Sequence, residues 1–148
     1  MSKRRKTESA SRRPKGQRVR IVIADDEPLI LDQISGLLET RFEVVARAGN
    51  GHELLQRVKR FKPAVVVTDI TMPELDGIEA ARRITKTSPS VKVVILSVYA
   101  DGGFVEAAFD AGASAYVVKL SAFTELVPAI DSILAGQSYC SSDAHYPQ

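Results

Sequence analysis

Five nearly unbroken apolar runs, at residues 19–24, 42–48, 64–68, 91–96 and 115–118, punctuate this chain at regular intervals. They are rich in valine and isoleucine, and most lack the alternation that marks a strand wetted on one face. Such runs predict strands covered on both sides, as in a parallel sheet. Between them lie segments of helical period. The segment 29–40 follows Pro28, which suits a first helical turn, and puts Leu29, Ile30, Ile34, Leu37 and Leu38 on one face. The segment 52–61 turns Leu54, Leu55 and Val58 inward after Gly49-Asn50-Gly51, and 77–86 repeats Ile78, Ala81 and Ile84. A weaker helix at 103–111 ends at Gly112 as a C-cap. Ser121 is expected to N-cap a last helix that buries Leu126, Ile130, Ile133 and Leu134 and stops at Gly136. Strand–helix alternation of this kind predicts an α/β fold, a doubly wound parallel sheet with helices on both faces.

Four of the runs stop on polar residues: Asp25-Asp26, Asp69, Ser97 and Lys119. Parallel strands share a direction, so these residues converge on one rim, where open α/β sheets bind ligands. Three carboxylates there repel one another unless a cation intervenes. Magnesium takes few protein carboxylates and keeps several waters, which leaves room for a phosphoryl oxygen. Asp69 can then act as a nucleophile toward phosphorus, with Lys119 and the Ser97 hydroxyl reading the phosphoryl oxygens. Each residue also has an ordinary reading: Asp26 or Glu27 as a helix cap, Ser97 as a strand-end hydroxyl, Lys119 as a surface lysine. Their joint placement at matching strand ends favours the chemical one. Gly49-x-Gly51 is not a dinucleotide fingerprint, because Leu54 stands where the third glycine belongs. His52 is expected to be an exposed polar residue, and His145 a tail residue.

Composition adds an asymmetry. With 148 residues, 45% of them hydrophobic, the chain suffices for one core. The net charge of +2 conceals a basic leader, since the first 18 residues hold eight lysines and arginines against Glu8 alone. Such a leader reads as a solvated tail or a weak contact for an anionic surface. No apolar stretch approaches the roughly 18 residues needed to span a bilayer, and no signal peptide is evident. The single cysteine, Cys140, fits a reducing cytoplasm and reads as a bystander thiol.

Ala24-Asp25-Asp26, the block from Thr68-Asp69 through Met72-Pro73 to Leu75-Asp76-Gly77, Ser97, and the stretch from Ala111-Gly112-Ala113 to Lys119 together resemble a response-regulator receiver domain. Glu125-Leu126 and Gly136-x-x-Tyr139 make it most similar to receivers of the NarL/FixJ subfamily, which carry a LuxR-type helix-turn-helix output. The resemblance implies a flavodoxin-like, five-stranded sheet of order 2-1-3-4-5. It implies that Asp69 accepts a phosphoryl group from a histidine kinase. Mg²⁺ would sit beside Asp69, ligated by Asp26 and the Thr71 backbone carbonyl, with Asp25 acting through a water. Ser97 and Tyr116 would form the switch, Tyr116 turning inward as Ser97 moves; a plain core aromatic is the other reading of Tyr116. A homodimer on phosphorylation is implied too, with DNA reached only through an output domain outside this chain. The expected layout is a basic tail over 1–17, a receiver over 18–136, and a tail or linker start over 137–148.

Some residues depart from the family pattern. Leu120 follows Lys119 where many receivers have proline, so a trans peptide is expected. Pro128 falls inside the last helix, Gly102-Gly103 loosens the fourth, and Thr71 and Tyr99 flank the approach to Asp69. Two other functions compete with a phosphorylated switch. A haloacid-dehalogenase-type phosphohydrolase needs an aspartate where Thr71 stands. A phosphorylation-independent interaction module would not need all of Asp25, Asp26, Asp69, Ser97 and Lys119.

Overall fold

The computed structural model describes residues 17–144. The basic leader up to residue 16 and His145 lie outside them. Six parallel strands, β1 (Arg20–Ala24), β2 (Glu43–Ala48), β3 (Val65–Thr68), β4 (Lys92–Ser97), β5 (Ala115–Val118) and β6 (Tyr139–Cys140), form one sheet in the order 2-1-3-4-5-6. The helices are α1 (Pro28–Leu38), α2 (Gly51–Phe61), α3 (Gly77–Thr87), α4 (Gly102–Asp110) and α5 (Ala122–Leu134), with a short 3-10 turn at Lys119–Ser121.

Alternate strand residues feed opposite layers. Val22, Val66, Val93 and Tyr116 join Leu54, Val58, Ala81 and Ile84 from α2 and α3. Ile21, Val65, Val94 and Val117 join Ile34 and Leu38 from α1 and Leu126 and Ile130 from α5. Both faces of each central strand are therefore apolar, and burying each such side chain contributes about 1.5–3 kcal/mol. Local capping sets where the helices begin. The Asn50 side chain accepts from the Glu53 amide while Glu53 accepts from Gly49 N–H, each at 2.8 Å. Asp76 and Asp101 cap α3 and α4 in the same way.

The fivefold alternation is present, and the sixth strand extends it. β6 is only two residues long and pairs Tyr139 with Ala115 and Cys140 with Tyr116. Gln137-Ser138 before it carries no apolar signal. The strand is held by tertiary bonds instead: Glu125 on α5 accepts from the Tyr139 and Ser141 hydroxyls at 2.8 and 2.7 Å. Two expected core positions are exposed, Leu29 at 67% and Leu134 at 41%. Both lie at helix ends, beyond the covering strands. Ser121 precedes α5, yet its hydroxyl makes no capping bond and donates to Asp143 instead. Pro128 lies within α5, where it has no N–H to give.

Candidate functional site

The register carries Asp25, Asp69, Ser97 and Lys119 to one rim. Ala24 pairs with Thr68, Thr68 with Ile95, and Ser97 with Val118, so the residues at or just past the strand ends are neighbours. The Asp69 amide donates to the Ala24 carbonyl at 3.0 Å, which continues the β1–β3 ladder into the site.

Lys119 bridges the two buried carboxylates. Its Nζ is 2.8 Å from Asp25 Oδ2 and 3.2 Å from Asp69 Oδ2. The other oxygen of each carboxylate accepts a backbone amide, Glu27 N–H at 2.9 Å and Ile70 N–H at 2.7 Å. Each carboxylate thus has one oxygen on the backbone and one on the ammonium. Burial pushes the Asp69 carboxyl above its usual range; Lys119 opposes that shift and the Asp25 charge adds to it. Burial alone would lower the Lys119 pKa, but the hydrogen bond to Asp25 and the charges of Asp69 and Asp25 outweigh it and leave it raised.

Asp26 is exposed, and its carboxylate comes within 4.8 Å of those of Asp25 and Glu27. Glu27 is not among the ligands expected from sequence; its adjacency to Asp26 was the available signal, and its alternative use as a cap obscured it. Neither Asp26 nor Glu27 caps α1, since the N-cap residue Glu27 makes no side-chain capping bond. Hard carboxylate oxygens grouped this closely, on a rim already needing a lysine for charge balance, fit a divalent cation of the magnesium type.

Ser97 and Tyr116 are fully buried. The Ser97 hydroxyl accepts from Tyr99 N–H at 3.0 Å, and the Tyr116 hydroxyl donates to the Tyr99 carbonyl at 2.7 Å. The Tyr116 ring therefore points inward, and burial raises its phenol pKa. Tyr99 also lies on Phe104, ring centroids 4.2 Å apart, and its hydroxyl is 3.4 Å from Thr71 Oγ1. Tyr99 links Thr71, Ser97 and Tyr116, a junction the sequence hinted at only by position. Lys119–Leu120 is a trans peptide. His52 is exposed.

Residues 21–131 match the family described as the response regulator receiver domain. This chain belongs to that family. The receiver is 34% identical over 120 residues to the transcriptional regulatory protein LnrK of Bacillus subtilis, covering 80% of this chain and 54% of LnrK. The chain thus spans about half the length of the curated relatives it matches. Its fold is similar to a LuxR-family two-component response regulator from Aurantimonas sp., with a TM-score of 0.82 and 36% identity over 86% of this chain and 92% of that one. It is also similar to the isolated receiver of RcsB from Salmonella enterica serovar Typhimurium, solved in the presence of the phosphomimetic BeF₃⁻. There the TM-score is 0.79 at 25% identity, covering 86% of this chain and 96% of that one. Receivers are signalling domains of two-component systems, not enzymes in the ordinary sense, and they bind Mg²⁺ at an acidic pocket. The Asp25-Asp26-Glu27 group is such a cluster. Among the described residues, no helix is long and apolar enough to cross a membrane.

Proposed function

We propose that Asp69 accepts a phosphoryl group from a histidine kinase, and that the resulting charge resets the contacts this receiver makes. In the transfer, a carboxylate oxygen of Asp69 forms the new bond to phosphorus as the phosphorus–nitrogen bond of the donor phosphohistidine breaks, its electron pair returning to the imidazole. The observation that carries this reading is the buried Asp69 carboxylate, 3.2 Å from Lys119 Nζ on the same rim as Asp25 and Ser97. Lys119 orients and neutralises the incoming oxygens, and the Ser97 hydroxyl donates to one of them. Mg²⁺, held by Asp25, Asp26, Asp69 and the Thr71 carbonyl, would neutralise charge on the carboxylate and the phosphoryl group. Hydrolysis of the aspartyl phosphate, assisted by the same residues, returns the switch.

The readout begins at Ser97. Drawing its hydroxyl toward a phosphoryl oxygen withdraws the acceptor from Tyr99 N–H, and Tyr99 holds Tyr116. That couples the rim to β5 and to the α4–β5–α5 face, where we place a phosphorylation-dependent homodimer. The receiver spans 18–136 in this reading, with 1–17 a basic tail. Residues 137–148 lead toward a DNA-binding output domain of the kind transcriptional relatives suggest. The work is done in the cytoplasm.

Incubation with acetyl phosphate and Mg²⁺ is expected to give a hydroxylamine-labile adduct of one phosphoryl group, and BeF₃⁻ with Mg²⁺ to raise the Tm. Asp69→Asn removes both effects. An adduct that survives this substitution, or no adduct in the native chain, would overturn the assignment.

A further inference from the structure

The cavity farthest from this chemistry lies at the other end of the sheet. It occupies about 790 Å³ between the C-terminal halves of α2 and α3. Its floor is apolar: Val58 and Ile84 are buried, and Leu55 and Val91 are half-buried. Its lip carries Lys59, Lys62 and Arg83, and no carboxylate lines it. A volume of this size matches sites for small organic ligands, which run roughly 300–1,000 Å³.

Two counterweights oppose the positive charge of the lip, and neither cancels it. Arg83 shares Glu79 with Arg82, its own contact being 3.2 Å, and this discounts one of the three cations. Two helix C-termini each add about half an elementary negative charge. Lys59 and Lys62 take part in no ion pair among the described residues, so the cleft keeps a positive balance. Cations in a last turn also answer the carbonyls of their own helix. Here they surround an open apolar volume as well, which a capping role does not require. Lys62 is held in place too. Its φ of 47° is left-handed, its N–H donates to the Val58 carbonyl at 2.9 Å, and its own carbonyl accepts from Arg20. A side chain in that backbone region costs about 1 kcal/mol or more and persists where the surroundings enforce it.

Both walls of the cleft begin at the acceptor rim. A Cβ on Gly77, the first residue of α3, would lie 1.8 Å from the Asp69 carbonyl oxygen. One on Gly51, the first residue of α2, would lie 2.1 Å from the Leu75 carbonyl in the β3–α3 loop. Each helix is seated against the loop that follows Asp69, and rigid helices transmit displacement along their length.

We propose that this cleft binds an organic anion with an apolar body, and that its occupancy is felt through α2 and α3 at the loop following Asp69. Binding here does not depend on phosphorylation of Asp69. The probe is anilinonaphthalene sulfonate, with phenyl-naphthylamine as its uncharged counterpart, added to the full chain. Saturable one-to-one fluorescence is expected for the sulfonate, together with amide NMR shifts at Val58–Pro63, Ile84–Val91 and Asp69–Gly77. The double variant Lys59→Gln/Lys62→Gln should weaken the sulfonate at least about tenfold, the loss of 1.4 kcal/mol or more, while leaving the neutral probe unchanged. Leu55→Trp, which fills the floor, should exclude both. No saturable binding, or equal affinity in the double variant, would overturn the site. Saturable binding with shifts confined to the cleft would overturn the coupling. Circular dichroism and Tm of each variant separate loss of binding from loss of fold.

Discussion

Asp69 is a residue whose placement costs stability. Its carboxyl is 7% exposed and its pKa is raised by burial, so the folded chain holds that proton more tightly than the unfolded one. Stability therefore falls as pH rises from the ordinary value of 3.8 through the raised folded value. At neutral pH, Asp69→Asn is expected to raise the Tm by roughly 3 °C, about what 1 kcal/mol produces in a domain of this size. The gain should vanish below the unfolded carboxylate value, a pH dependence that a thermal melt series checks. Lys119 runs the other way. Its raised pKa stabilises the fold at all pH values below the ordinary lysine value of 10.5, and that contribution disappears as pH climbs through the folded value. The rim is thus a buried charge cluster held together by one ammonium, a state suited to accepting further ligands.

Among the helices, two glycines show how tightly α2 and α3 are seated. Gly77→Ala forces a methyl onto the Asp69 backbone and should destabilise by at least about 2 kcal/mol. Gly36, in the exposed part of α1, has nothing within 4 Å of where an added methyl would lie, and Gly36→Ala should stabilise by about 0.5–1 kcal/mol. Urea denaturation of the pair measures both signs in one experiment. If Gly77→Ala proved neutral, the close seating of α3 on Asp69 would be wrong. The apolar period locates these helices to within two residues, because a buried face leaves a repeat that any neighbour requires. It does not reveal that the glycines serve contact rather than turning, since close approach depends on a partner elsewhere in the chain.

The whole molecule is closed at one edge by the segment after α5. Glu125 accepts from Tyr139 and Ser141, Ser141 N–H donates to the Tyr116 carbonyl at 2.8 Å, and its hydroxyl accepts from Val118 N–H. Burial, then the bond to Glu125, pushes the Tyr139 phenol up to about 12. Burial and the Glu125 charge likewise raise the Cys140 thiol, which makes it slow to react at neutral pH. Glu125→Ala is expected to release β6, so that Cys140 reacts several-fold faster with a disulfide reagent and Tyr139 titrates nearer its ordinary 10. Unchanged thiol kinetics would mean that Glu125 does not hold the strand.

The runs ending at Ala24, Thr68, Ser97 and Val118 were readable in one dimension because a strand covered on both faces must be apolar throughout, and its polar stop must lie at the rim. That pattern identified the sheet, the direction of its strands and the residues brought together at their ends. Folding decided what those residues do to one another. Lys119 divides itself between Asp25, 94 positions away, and Asp69, 50 positions away. Glu27 joins a cluster, β6 adds to the sheet without an apolar run, and cations from two helices ring one cleft. These arrangements depend on distances across the fold, and local periodicity carries information only about a segment's own faces.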